Sequence, residues 1–248
     1  MTWRESRGRH DRGGSRVVAR LAAVGGMCTV LMSGPAVAAG SLVTFASPSG
    51  RMVTALLTEA AQVPAPAVVL VPMLGHQKNE WQVVADRLAA GGVHALAIDL
   101  PSLSLPADAR ELVGWNEDIR AAVAYLTGRT DVRLGGVGLA GASLGANLVA
   151  VAAAAEPAVR SIALVSPSLD YRGVRIAEPM RQFGARQAFF VASVQDPYAA
   201  RSVRELQTLG DGSREVRWSY VPAHGTALLS LDPGLVDSIV EWFQQTLG

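Results

Sequence analysis

Cysteine is almost absent: the 248 residues contain one, Cys28. A lone thiol excludes a disulfide framework within the chain, and a domain of this size needs none to hold its core. Histidine is scarce too, with four in the chain, and no cluster of His, Cys, Asp and Glu has metal-ligand spacing. No glycine-rich loop leads into a lysine, so a phosphate-cradling loop is missing as well. Neither a metal nor any other cofactor is expected. Nor is there an apolar run of the about 20 residues that a membrane-spanning helix requires.

What the N-terminal segment holds instead is a graded leader. Arg4, Arg7, Arg9, Arg12, Arg16 and Arg20 outnumber Glu5 and Asp11, the apolar run Leu21 to Met32 follows, and Ala36-Val37-Ala38-Ala39 closes it. A basic segment, a short apolar core and an A-x-A end predict a secretory signal peptide over residues 1–38. The protein is therefore expected to be secreted or periplasmic. An uncut N-terminal anchor is the competing reading; once the leader is cut, no stable membrane insertion remains. Cys28 lacks the neighbours of a lipid-attachment site, and no adjacent arginine pair marks a twin-arginine signal. Cleavage after Ala38 would remove the only cysteine and six arginines, turning the formal charge of +1 mildly acidic. Thiolate and redox chemistry are then excluded, and so is a basic face for nucleic acid. Oligomeric state is not legible.

Half of the residues are apolar, enough to fill one domain. Residues 39–50, small and polar-mixed, read as a flexible lead-in and 51–248 as the domain. Arg51 to Thr58 predicts an exposed strand. Ala67 to Val71, Val93 to Ile98 and Leu134 to Leu139 are short apolar runs, as expected of strands buried on both faces of a parallel sheet. Helical periodicity falls between them, with Trp81, Val84 and Leu88 on one face and Gly91-Gly92 as a stop. A longer amphipathic stretch covers about Ala109 to Thr127. Leu144 to Ala155 is a helix, Val159 to Val165, Gln187 to Val194 and Glu215 to Val221 are strands, and Ala199–Leu209 and Leu235–Thr246 are helices. Alternation with short connections predicts an α/β fold, a predominantly parallel twisted sheet with helices on both faces. Ser166 to Arg186 breaks the rhythm, but about twenty residues are too few for a large cap domain.

Gly141-Ala142-Ser143-Leu144-Gly145 matches G-x-S-x-G between an apolar strand and a helix, which is the setting of a nucleophile elbow. The turn would lift Ser143 above the sheet and place it at a helix N-terminus, where the Leu144 amide can stabilise an oxyanion. A serine needs a base. After residue 38 the choices are His76, His94 and His224. His94 opens a buried strand, at the sheet end opposite to where ligands bind, and reads as structural. Elbow enzymes order their groups serine, acid, histidine, and only His224, in Val221-Pro222-Ala223-His224-Gly225-Thr226, satisfies that order. For the acid, Asp196 in Gln195-Asp196-Pro197 follows a strand and is the first choice. Asp170 is its rival, and Asp211 sits in an ordinary Asp-Gly turn.

Ala67–Trp81, Gly141–Gly145, Val194–Pro197 and Ala223–Thr226 fall in the order of the α/β-hydrolase superfamily. The chain resembles its small, capless dienelactone-hydrolase-like and exported esterase members over nearly all of 51–248. The resemblance implies an oxyanion loop at Val71-Pro72-Met73-Leu74-Gly75. Pro72 and Met73 replace the usual His-Gly there, and Leu74 becomes the second oxyanion amide. Dienelactone hydrolases use a cysteine nucleophile, so Ser143 implies ester hydrolysis through an acyl-enzyme on a small-molecule ester. Met73, Leu74 and His76 are the expected substrate-lining residues, with Trp81 more simply core. An exported acyltransferase or a peptidase with the same three groups, and a non-catalytic binding protein of the same fold, are the competing readings.

Overall fold

The computed structural model describes residues 40–108 and 110–248. The leader expected over residues 1–38 lies outside the described residues. The strands are β1 (Ser41–Ala46), β2 (Met52–Thr58), β3 (Ala65–Val71), β4 (His94–Ile98), β5 (Val132–Ala142), β6 (Val159–Val165), β7 (Asp170–Tyr171), β8 (Val174–Arg175), β9 (Gln187–Ser193) and β10 (Arg214–Ser219). The helices are α1 (Gln82–Ala90), α2 (Arg110–Gly114), α3 (Asn116–Thr127), α4 (Leu144–Ala155), α5 (Ala177–Phe183), α6 (Pro197–Leu206), α7 (Ala227–Leu231) and α8 (Gly234–Leu247). Eight strands form one sheet in the order β1-β2-β4-β3-β5-β6-β9-β10. β2 runs antiparallel to both β1 and β4, and every other pair is parallel.

The fully buried strands are two-sided. In β3, Val69 and Val71 face a core shared with α2 to α6, whereas Val68 and Leu70 face a second core shared with α1, α7 and α8. Leu96 and Ile98 of β4 join the first, Ala95 and Ala97 the second. Successive side chains of a strand point to opposite faces, so an unbroken apolar run serves both layers. The alanine-rich α4, buried along most of its length, packs among β5, β6, α3 and α5.

Two boundaries differ from expectation. Residues 41–46 are not a flexible lead-in but the edge strand β1, paired in full register with β2. Only Val43 and Phe45 turn inward, Phe45 stacking on Tyr125 of α3 at 4.9 Å between ring centroids. Two half-buried residues leave almost no apolar signature. The strand expected from Leu134 begins at Val132, and its continuous burial starts only at Gly136. Between them the chain bulges, pairing Ala65 with Val132 but Ala67 with Val137, and leaves Leu134 93 % exposed. Gly135 turns there with φ +71°.

The stretch Ser166 to Arg186 forms the β7–β8 hairpin and α5. It is pinned to the flank of α4 by one buried side chain. Asn147 Nδ2 donates to the carbonyls of Ser168 and Val174, both at 2.9 Å, and its Oδ1 accepts from the Ser168 amide at 3.0 Å. Ile176, Met180 and Phe183 bury beneath, and no large cap stands over the sheet. Among the described residues no helix is long and apolar enough to cross a membrane.

Candidate active site

Ser143 sits between the end of β5 and the start of α4 with φ 52° and ψ −118°. Such a backbone costs a non-glycine residue about 1–3 kcal/mol. The surroundings hold it: its amide donates to Val165 O at 2.9 Å, and its carbonyl accepts from Ala146 and Asn147 at 3.0 and 3.2 Å. The two flanking glycines are sterically required. A Cβ at Gly141 would lie 2.4 Å from Gly145 O, and one at Gly145 would lie 2.4 Å from Pro72 O. The elbow is thus wedged against the end of β3, where the Pro72-Met73-Leu74 loop begins.

Asp196 is the N-cap of α6, with Pro197 at the first helical position and its Oδ1 accepting the Ala199 amide at 3.1 Å. Capping fixes one carboxylate oxygen and aims the other. Oδ2 lies 2.5 Å from His224 Nδ1, and His224 Nε2 lies 2.8 Å from Ser143 Oγ. With the carboxylate as acceptor, Nδ1 carries the proton, which leaves Nε2 free to accept from the serine. Ser143, His224 and Asp196 therefore stand in one hydrogen-bonded line. The His224 ring is 49 % exposed, so the line opens to solvent at the carboxyl end of the sheet.

Asp170 is elsewhere. Its carboxylate bonds Arg175 Nε at 2.9 Å and the Gly173 amide at 2.6 Å inside the β7–β8 hairpin. The Arg175 guanidinium, and then that amide, hold it below the usual aspartate range. His94 is a buried spacer at the other end of the sheet, accepting from the Ala60 amide on Nδ1 at 3.0 Å and facing Asp131 O with Nε2 at 3.2 Å. Trp81 is fully buried.

The loop after β3 is organised by a residue that the sequence reading passed over. Glu80, with its side chain only 10 % exposed, accepts the Met73 amide on Oε1 at 2.8 Å and the Thr226 hydroxyl on Oε2 at 2.7 Å. His76 Nδ1 lies 2.9 Å from the same Oε2. Burial pushes the Glu80 carboxyl up, partly opposed by the Thr226 hydroxyl, the Met73 amide and His76. The expected substrate-lining residues thus divide. His76 is turned to Glu80, while Met73 reaches across so that a Cβ at Gly225 would fall 2.6 Å from its Sδ. The Leu74 and Leu144 amides donate to no acceptor among the described residues. A sequence clue to Glu80 existed: an acid four residues after His76, directly before a core tryptophan. Nothing local pointed to Thr226.

The His224 loop is tied down from three further sides. Gly225 N donates to Ser166 Oγ at 2.9 Å, Ser193 Oγ donates to Val221 O at 2.5 Å, and Gln195 Nε2 donates to Tyr220 O. Ser166, directly after β6, itself has φ 48°. Among the described residues no three His, Cys, Asp or Glu side chains converge as metal ligands would.

No family model and no curated protein sequence matches the chain. Solved structures do match in shape. A 2,6-dihydroxy-pseudo-oxynicotine hydrolase superposes with a TM-score of 0.71 at 16 % identity, over 84 % of this chain and 68 % of its own. The esterase domain of a Rhodothermus marinus protein gives 0.68 at 16 %, over 84 % and 99 %. A dienelactone hydrolase from Anabaena variabilis gives 0.68 at 17 %, over 84 % and 95 %. At such identities the likeness speaks for architecture alone, and with the strand order above it establishes that this chain has the α/β-hydrolase fold.

Proposed function

We propose that the protein is an exported serine hydrolase that cleaves small carboxylic esters through an acyl-enzyme. The observation that carries this reading is the line from Ser143 Oγ through His224 to Asp196, built on a positive-φ serine at a helix N-terminus. His224 takes the Ser143 proton through Nε2 as Oγ attacks the ester carbonyl. Asp196 keeps the imidazole in that tautomer and stabilises its charged form. The oxyanion falls to the Leu144 amide, at the start of a helix with no acidic residue in its first turn, and to the Leu74 amide, since Glu80 already engages that of Met73. Losing one such donor costs about 3 kcal/mol of transition-state stabilisation. His224 then returns the proton to the departing alcohol, and water, activated by the same imidazole, releases the acid. The esterase and dienelactone hydrolase among the structural neighbours support this chemistry by their names.

Labelling with a fluorophosphonate probe tests it. Wild type should label and hydrolyse a short p-nitrophenyl ester, Ser143→Ala and His224→Ala should do neither, and Asp196→Asn should lose about 10⁴-fold in kcat. A folded wild type that does not label overturns the reading. Product partitioning toward an added alcohol would instead identify an acyltransferase on the same groups.

A further inference from the structure

Glu80 and Thr226 lie 146 residues apart, and their hydrogen bond joins the two loops that the reaction must keep in register. Resting on the hydrolase reading above, we infer that Glu80 is a positioning residue, a carboxylate clamp that sets the oxyanion loop against the histidine loop.

Glu80 stands on a single 3-10 turn, Lys78–Trp81, anchored at both ends. Trp81 is fully buried behind it. Ahead of it the Lys78 amide and ammonium both donate to Asp99 after β4, at 2.9 and 2.5 Å. From that base, Oε1 fixes the Met73 amide and Oε2 the Thr226 hydroxyl. Met73 N belongs to the Pro72–Met73 peptide, the one directly before the peptide that carries the Leu74 amide, so its bond anchors the loop one residue upstream of that donor. Thr226 is two residues after His224, and Gly225 between them is held by Ser166. The clamp therefore spans from the second oxyanion donor to the general base without touching substrate.

A structural role alone would be better served by an apolar side chain. Burying a carboxylate is costly, and burial does raise this one. Two acceptor oxygens with fixed separation are what two donors on different loops require, and an apolar residue supplies neither. Displacements of about 1 Å at a reacting centre can cost on the order of 10²-fold in rate, while ester binding, which depends on the open mouth of the site, should change little.

The test uses the full-length protein and reads both the rate of fluorophosphonate labelling and kcat and KM for a short p-nitrophenyl ester. Glu80→Met matches the length but accepts no hydrogen bond, and Thr226→Val keeps the shape without the hydroxyl. Each should slow labelling and kcat by about 10- to 100-fold, with KM within about threefold. Glu80→Gln keeps an acceptor for Met73 N, and the Thr226 hydroxyl can reverse to accept from its amide. Glu80→Gln and Thr226→Ser should therefore stay within about threefold of wild type. Rates unchanged in folded Glu80→Met, or Thr226→Ser as slow as Thr226→Val, would overturn the clamp, as would a loss confined to KM. If Glu80→Met does not fold, the Thr226 pair decides. A wild type that does not label takes down the hydrolase reading and the clamp together, whereas a labelled wild type with unaffected variants takes down the clamp alone.

Discussion

A methyl group added at Gly145 would meet the carbonyl oxygens of Pro72 and Val71 at 2.4 and 2.6 Å. Both obstacles are backbone at the end of a central strand, which cannot rotate out of the way as a side chain could. Gly145→Ala should therefore lower stability by about 1–3 kcal/mol and depress hydrolysis by more than that loss explains, because the displaced atoms lead into Met73 and Leu74. Thermal melting beside kcat checks this; a fully active, equally stable variant would contradict it. Glu80 allows a second prediction, from its raised carboxyl. Its folded value lies above the ordinary 4.5, so the native state holds this proton over a window where the unfolded chain has released it. Stability from this group is fully present below about pH 4.5 and falls as pH rises through the raised value. The melting temperature of wild type relative to Glu80→Gln should thus be highest at and below about pH 4.5 and decline as pH rises toward neutrality. A gap that widens with pH would contradict the sign.

The elements most legible in the sequence are those buried on both faces. β3 announced itself as an unbroken apolar run and β4 as an apolar run broken only by His94, and α4 was readable to its end residues because glycine motif, strand and alanine-rich helix follow in sequence. β1 was not legible: its half-buried face is two residues, and what makes it a strand is a partner in the chain beyond a turn. Leu134 misled for the opposite reason, being apolar yet 93 % exposed on a bulge that only the register with β3 reveals. The order of Ser143, Asp196 and His224 could be read because each follows a strand end. Glu80 could not be assigned a task, since its partner is distant in sequence. Two outcomes belong to this scale. Removing residues through 50 should expose the edge of β2 and strip Phe45 from Tyr125, lowering the melting temperature and promoting association through the bared edge; light scattering and melting would show it. Asn147→Ala should cost about 3 kcal/mol, since an amide and two carbonyls are left without their buried partner, and limited proteolysis should then cut near residues 168–176 first.

For the molecule as a whole, two cores on either side of one sheet leave the carboxyl edge to carry every group of the proposed reaction. Four separate strand ends deliver them: β3 leads to Leu74, β5 to Ser143, β9 to Asp196 and β10 to His224. The excursion between β6 and β9 is fastened sideways onto α4, which leaves the approach to Ser143 without a large cover. The proposal that the protein is exported belongs here as well. Intact-mass measurement of material recovered outside the cytoplasm should show a chain beginning at Ala39; a full-length chain retained in membranes would favour the anchor.

The bulge at Leu134 and the serine at position 143 stand toward opposite ends of β5, Ser143 directly after its last residue. From Val137 to Ser143, at about 3.3 Å per residue, is roughly 20 Å, and the residues described contain no cysteine. A thiol installed in place of Leu134 on the processed chain would be solitary and solvent-facing, at the opposite end of the sheet from Ser143. Such a handle would tether every copy to a surface or a dye in one orientation, with Ser143 directed away from the support.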